Sequence, residues 1–383
     1  MKSLSNNYIV SLILILPLFT QCQNPKSTLN EPITQYVPNN LKLKKESWGF
    51  TSIDTIASKN YSAVDIGNNT YISYFDDFSK KITIISVNEC KVINQIDLGK
   101  SLTKENFFES FYVHNLDSIF IQEHKNIKLI DKAGNVKFNT FVNQTENRSK
   151  MSLSNLGYTF PIIYNSISNE LMVGQYCSSC RFYEKKYFQQ NIETSLNLST
   201  KQFRETPFSY SQKYKEGYYG FATLIYRTIN DSLSVFSFEA DANIYLYNRN
   251  NGNIEVKGGK SKYDTSIKSL SLDYKNDSNK KISHLTLSPL YFEMYWDPYK
   301  KLYYRFFLKE QLERDSKGSY SIWADKPLVL MIFDENFRIV DELDLGTDYN
   351  HSSALVTSKG FYIKKSITKN IKKIEFEIFK FEK

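Results

Sequence analysis

Along most of the chain, apolar residues recur in short alternating runs interrupted by Asn, Asp and Gly. Alternation at period two places successive side chains on opposite faces of a strand, and the interrupting residues start turns. Long runs at the helical period of 3.6 are almost missing, so the pattern predicts an all-β chain.

The runs group into repeating units of four strands. Tyr61 to Ile66, Thr70 to Phe75, Ile82 to Val87 and Val92 to Leu98 make the first. Phe111 to Val113, Ser118 to Gln122, Ile127 to Ile130 and Val136 to Phe141 repeat the plan. A third clear unit runs Thr223 to Arg227, Ser232 to Phe238, Asn243 to Tyr247 and Asn253 to Val256. Tyr291 to Trp296, Leu302 to Leu308, Leu328 to Phe333 and Phe337 to Leu345 follow, with an insertion before the third strand. The last unit has three strands: Ala354 to Ser358, Phe361 to Lys365 and Lys373 to Phe381. The segment near Leu41 to Ile53 is the candidate for its missing fourth strand, which would close a ring. Between Tyr158 and Ser211 the pattern is weak, and a unit is inferred there from the gap.

One turn recurs best. Leu129-Ile130-Asp131, Leu246-Tyr247-Asn248 and Ile332-Phe333-Asp334 each place an Asx residue after an apolar pair. An Asx side chain bonds backbone two residues on and so initiates turns. Four-stranded antiparallel units spaced about 40 to 50 residues apart predict a single β-propeller of about six blades over 41–383. Tandem β-sandwiches are the alternative, since they too use short strands at regular spacing.

The N-terminus departs from this pattern. Lys2 precedes a mostly apolar run from Tyr8 to Phe19, too short to span a bilayer, which takes about 20 residues. It reads as a signal-peptide core. Cys22 follows directly, as in a bacterial lipobox, although Gln21 stands where a small residue is usual. The expectation is a lipoprotein signal over 1–22 with lipid attached at Cys22, then a polar, Pro-containing tether over 23–40. Residues 23–29 contain no Asp or Glu, which leans the address toward the periplasmic side of the outer membrane rather than the cell surface.

Composition sharpens the picture. Aromatic residues make up 15%, with 28 Tyr and 27 Phe, and such residues favour strands. The net charge of +8 is spread along the chain rather than clustered, which argues against nucleic-acid binding. Beyond Cys22 there are Cys90 and a Cys177-Ser178-Ser179-Cys180 pair. No second such pair or adjacent His pair supplies zinc ligands, so Cys177 and Cys180 are a candidate disulfide.

Tyr295-Trp296-Asp297-Pro298-Tyr299-Lys300-Lys301-Leu302-Tyr303-Tyr304-Arg305-Phe306 is the sharpest string in the chain. With the lipobox and the strand repeats, it resembles a family of exported Bacteroidota lipoproteins, domain of unknown function forty-two twenty-one. That resemblance implies a TolB-like six-bladed propeller in the cell envelope and carries over no catalytic residues. Within the string, Asp297-Pro298 predicts a tight turn. Tyr295, Trp296, Tyr299, Tyr303 and Arg305 are candidate ligand contacts, with Arg305 holding a carboxylate. The competing reading is hairpin packing around a solvated Arg.

Motifs for other chemistries are missing. His114, His124, His284 and His351 show no metal or protease spacing and read as surface or loop residues. Gly217-Tyr218-Tyr219-Gly220 is not a nucleophile elbow, and no phosphate loop is present. Tyr218-Tyr219 is either a sugar-stacking platform or blade packing. Asp76-Asp77 reads as a solvated turn. No cofactor or metal is expected.

In a propeller the inner strand of each blade lines the channel. Tyr61 to Ile66, Phe111 to His114, Pro161 to Tyr164, Thr223 to Arg227, Tyr291 to Trp296 and Ala354 to Ser358 are the candidates. Their carboxylates are chiefly Asp65 and Glu293. The expected function is therefore non-catalytic binding of a peptide, glycan or envelope partner protein. A glycan- or peptide-cleaving hydrolase or lyase is the alternative. The question for the structure is whether Asp65, Glu293, His114 and Arg227 converge, and whether two carboxylates sit about 5 to 9 Å apart.

Overall fold

The computed structural model describes residues 32–51, 61–99, 108–123, 126–141, 151–153, 160–314, 318–366 and 373–382. The signal segment, Cys22 and His124 lie outside them.

Strand β1 (Lys42–Thr51) comes first. Blade 1 is β2 (Tyr61–Ile66), β3 (Asn69–Asp76), β4 (Lys81–Ser86) and β5 (Lys91–Asp97). Blade 2 is β6 (Phe108–Asn115), β7 (Ser118–Glu123), β8 (Asn126–Ile130) and β9 (Val136–Phe141). Blade 3 holds β10 (Met151–Leu153), β11 (Ile163–Asn165), β12 (Glu170–Cys177), β13 (Asn191–Asn197) and β14 (Phe203–Ser209). Blade 4 is β15 (Ile225–Ile229), β16 (Leu233–Phe238), β17 (Asp241–Asn248) and β18 (Ile254–Lys257). Blade 5 is β19 (Leu290–Asp297), β20 (Leu302–Leu308), β21 (Leu328–Phe333) and β22 (Ile339–Gly346). Blade 6 is β23 (Tyr349–Thr357), β24 (Gly360–Lys365) and β25 (Lys373–Glu382), completed by β1. The result is a six-bladed β-propeller, not tandem sandwiches.

Ring closure follows the expected route. β1 pairs antiparallel with β25 from Lys42↔Glu382 to Thr51↔Lys373. Trp48 and Phe50 then pack with Tyr74 and Phe376 between blades 6 and 1. Gly49 permits this pairing, because a Cβ there would lie 2.8 Å from the Ile374 carbonyl oxygen.

Burial explains why the strands read as they do. Every residue of β20 and β21 is buried, because a blade's middle strands are covered on both faces by neighbouring blades. Such strands read as continuous apolar runs rather than alternations. Outer strands such as β5 and β9 are largely exposed and mix polar with apolar residues.

Two Asx turns recur around the ring. At the turn between third and fourth strands, Asp131, Asn248 and Asp334 accept backbone N–H bonds from residues 133, 250 and 336, as expected. Asn197 does the same for Ser199 in blade 3, so the weakly patterned unit carries the signature too. The hairpin after the inner strand repeats the device, with Asn115, Asn165, Asn230 and Asp297 each accepting from the residue two positions on. Blade 3 read weakly because its inner position is divided. β10 pairs one end of β12, at Met151↔Cys177, and β11 pairs the other, at Ile163↔Met172.

Residues 32–40, assigned to the tether, run along blade 5. Ile339 exchanges backbone bonds with Gln35 and Val37, and Asn39 donates to Asp341 at 2.8 Å. This arm occupies part of the outer edge of β22, an edge that would otherwise offer unpaired backbone.

Candidate ligand-binding channel

Each inner strand pairs on one side with its blade's second strand and turns its other edge toward the axis. A cavity of about 300 Å³ lies there, lined by residues 61–63, 110–112, 161–163, 226–228, 293–296 and 352–356. All six inner-strand stretches expected from the sequence contribute to it. Small hydroxyl residues keep it open: Ser62, Ser110, Thr228, Ser352 and Ser353. Two of these hydroxyls also join blades at the free edges. Ile162 N–H donates to Ser110 Oγ at 3.3 Å, and Trp296 N–H to Thr228 Oγ1 at 3.0 Å. Tyr61, Tyr112, Tyr226, Tyr295 and Trp296 supply aromatic surface.

Glu293 is the carboxylate among the described lining residues. It is 8% exposed, and no described residue bonds to its carboxyl. Burial pushes that carboxyl well above the usual carboxylate range. Arg227 is the guanidinium of the lining, but its charge is already engaged. It pairs with buried Glu193, donates to the carbonyls of Pro161 and Met172, and stacks over Phe160 at 4.4 Å. Thr206 completes this group with a 3.1 Å bond to Glu193.

The four residues in question do not converge. Glu293 and Arg227 line the cavity. Asp65 sits near the hairpin end of its strand, where Thr70, Tyr299 and Ser358 take its oxygens. His114 stacks edge-on against Tyr164 at 4.9 Å, outside the lining.

The motif string divides in the same way. Tyr295 and Trp296 line the cavity as expected, and Tyr299, Tyr303 and Arg305 do not. Asp297 holds the hairpin, accepting from Tyr299 N–H, Lys300 N–H and the Tyr304 hydroxyl. Tyr303 is buried and accepts a 2.6 Å bond from Asn230 of blade 4. Arg305 is neither solvated nor paired with a carboxylate. It is fully buried, reaches into blade 4, and donates to Ser237 Oγ and to the carbonyls of Asp241, Ala242 and Gly259. Tyr291 lies 4.0 Å beneath it, and burial lowers its guanidinium to about 10. Most of the string is therefore a set of joints between blades.

Burial corrects the surface or loop reading of His351 and the solvated-turn reading of Asp76, while the packing reading of Tyr218-Tyr219 and the Cys177–Cys180 pairing stand. His351 lies inside β23 against Phe292 and Trp323, and His284 bonds the Lys268 carbonyl at 2.7 Å. Asp76 is buried and accepts from Phe78 N–H and Ser79 Oγ, while Asp77 stays exposed. Tyr218 and Tyr219 are both buried, and Tyr219 meets Tyr214 at 5.5 Å. Cys177 and Cys180 are disulfide-bonded with Cα atoms 5.3 Å apart, and Cys90 is exposed.

Sequence reasoning missed Glu239 and Lys326. Glu239 is buried behind the channel wall, where it accepts from Leu224 N–H and the hydroxyl of Tyr226. Burial pushes it up to about 8. Lys326 donates to the carbonyls of Thr286 and Ser288, and burial brings it down to about 7. Neither stands in a motif, so only the fold reveals them.

Among the described residues no helix is long and apolar enough to cross a membrane, and no acidic, His or Cys cluster is arranged to hold a metal.

The profile of a family described as a domain of unknown function, DUF4221, matches residues 52–344. A solved member of that family from Bacteroides vulgatus is 18% identical, with a TM-score of 0.76, covering 90% of this chain and 99% of its own. A Bacteroides fragilis protein provisionally described as exported is 10% identical, with a TM-score of 0.54, covering 89% and 96%. At these identities the likeness is one of fold. No curated protein sequence matches the chain.

Proposed function

The chain belongs to the DUF4221 family, and from that premise we propose that it is an exported propeller, anchored through lipid on Cys22, that binds a ligand in its channel without transforming it. One observation carries this reading. All six blades contribute to a single cavity whose wall combines aromatic faces, small hydroxyls and Glu293, a carboxyl with no partner among the described residues. Ligand sites typically join apolar walls with a few placed polar groups. The ligand class is a peptide, a glycan or a projecting segment of an envelope partner. The absence of Asp and Glu from residues 23–29 after Cys22 supports a periplasm-facing address.

A hydrolase or lyase is the second reading, because general-acid catalysis uses a carboxyl raised above its usual range, as burial raises Glu293. Glycoside cleavage also needs a second carboxylate or equivalent group close by. Among the described lining residues Glu293 stands as the one carboxylate, which favours binding.

The test uses the mature chain and a Ser352→Trp variant that fills the channel. Ligand-observed NMR with mixtures of short peptides and oligosaccharides is expected to find binding to the first and not the second. Turnover of any of these compounds that disappears in Glu293→Gln would replace the binding reading with the catalytic one. Mass spectrometry of the native N-terminus tests the anchor, which fails if the mature chain starts at an unmodified residue other than Cys22.

A further inference from the structure

Resting on the channel as the binding site, we infer that the occupant presents an organic cation, a primary ammonium or guanidinium group, to Glu293.

The inference begins with an imbalance. A buried carboxyl is normally hydrogen-bonded or paired. Glu193 has Arg227, and Glu239 has Leu224 N–H and the Tyr226 hydroxyl. Glu293 is more than nine-tenths buried, lines the cavity and has no partner among the described residues. The nearby cation cannot serve it, since Arg227 is turned to Glu193 and to carbonyls of blade 3. The missing partner is therefore a group brought by the ligand.

The wall selects its charge. Tyr295 and Trp296 follow Glu293 on β19, and Tyr226, Tyr112 and Tyr61 stand on other inner strands around the same space. Aromatic faces attract cations and offer nothing comparable to an anion. Arg227 is the cation among the described lining residues and is paired with Glu193, so an anionic ligand would meet the Glu293 carboxyl with no unpaired lining cation to offset it. A neutral ligand would satisfy the acid only as a protonated donor. An amine or guanidinium gains the ion pair and the aromatic contacts together. At about 300 Å³ the cavity is at the small end of ligand sites, so it takes one extended side chain or a small amine.

Binding is then linked to a proton. Burial raises the Glu293 carboxyl well above the usual carboxylate range, so pairing with a cation releases the proton wherever the empty site still holds it. The other titratable groups at the cavity are Arg227, which pairs with Glu193, and the phenols Tyr61, Tyr112, Tyr226 and Tyr295; Lys364 donates to the Tyr61 hydroxyl, and Glu239 accepts from the Tyr226 hydroxyl. His351 on the neighbouring β23 turns to Phe292 and Trp323. Affinity for a cation therefore rises with pH, by up to about tenfold per unit below the folded pKa of Glu293.

Isothermal titration of the mature chain at pH 6 and pH 8 tests this with four probes. They are butylammonium, butylguanidinium, the neutral butanol and the tripeptide Gly-Lys-Gly. The expected result is binding of the cations at least tenfold tighter than butanol and tighter at pH 8. Heats that change with buffer ionisation enthalpy would report the released proton without any variant. Glu293→Gln is expected to erase both the preference and the pH dependence. If Gly-Lys-Gly binds far more tightly than butylammonium, the cation belongs to a peptide; the reverse order assigns a free amine. Cations no tighter than butanol would overturn the inference. In that case, a peptide or sugar displaced by Ser352→Trp would leave the channel reading standing, and no such ligand would remove both.

Discussion

The Tyr299 hydroxyl donates a 2.6 Å hydrogen bond to Asp65, tying the inner hairpin of blade 5 to blade 1 across blade 6. Ser358 of blade 6 adds its N–H at 2.8 Å and its hydroxyl at 3.0 Å. One carboxylate therefore joins three blades around the sheet that the two chain ends complete. Tyr299→Phe is expected to cost about 1–2 kcal/mol in urea unfolding, with a coupling to Asp65→Asn of about 1 kcal/mol. Burial raises the Asp65 carboxyl, but the hydrogen bonds from Thr70, Tyr299 and Ser358 outweigh it and hold the group below its usual value. A depressed carboxylate contributes stability above its unfolded pKa, about 3.9, and loses it as pH falls through the folded value. The coupling should fade below about pH 4. A coupling of zero at pH 7 would show the contact to be incidental.

Arg305 satisfies three backbone carbonyls of blade 4 from inside blade 5. Arg305→Met leaves those acceptors buried and unbonded, with an expected loss of about 3–5 kcal/mol. Arg305→Lys should recover little, because an ammonium lacks the planar fork. Equilibrium melts of the two variants measure this, and losses under about 1 kcal/mol would contradict it.

Gly49 lets β1 approach β25. Gly49→Val places a Cβ against the Ile374 carbonyl, 2.8 Å away, and should destabilise by about 1–3 kcal/mol. Limited proteolysis of the variant is expected to begin in β1, before other strands. Cleavage starting elsewhere would indicate that ring closure is not the weak point.

Glu293 carries a cost in the empty protein. Its folded pKa is raised, so the unfolded chain ionises first and stability falls as pH rises from about 4.3 toward the folded value. Glu293→Gln removes that penalty, worth roughly 1.4 kcal/mol per unit of the shift. The variant should match the parent near pH 4 and exceed it near pH 8 in thermal melts. A constant difference across pH would sink this account.

Alkylation of the folded, unreduced chain expressed from residue 32 onward is expected to label Cys90 and to spare Cys177 and Cys180. Full labelling of all three would refute the bond in solution.

Much of the ring was legible because the repeat is built from local chemistry. Strands Tyr61–Ile66, Val136–Phe141, Leu302–Leu308 and Leu328–Phe333 stand as read, since turn-forming Asx residues bracket apolar runs. The inner-strand stretches proved to be the cavity lining because position within a four-stranded unit dictates distance from the axis. Blade 3 was obscure because β10 and β11 share one inner position, a division with no local signature. Within the motif, chain order placed Tyr303 and Arg305 beside Trp296, but strand β20 lies one step out from the channel. Their side chains consequently serve the joint with blade 4.

Alternation, turn residues and spacing, all properties of neighbours in the chain, pointed to an all-β ring of about six blades with the segment near Leu41 to Ile53 as its closing strand, and the packed sheets decided it against tandem sandwiches. Partners far apart in the chain were not. Asp65 meets Tyr299, Arg227 is claimed by Glu193, and Glu293 is left without a partner among the described residues only once six sheets are packed around an axis. Whether a charged side chain is solvated, paired or stranded depends on what surrounds it in space, and that was decided by the tertiary structure.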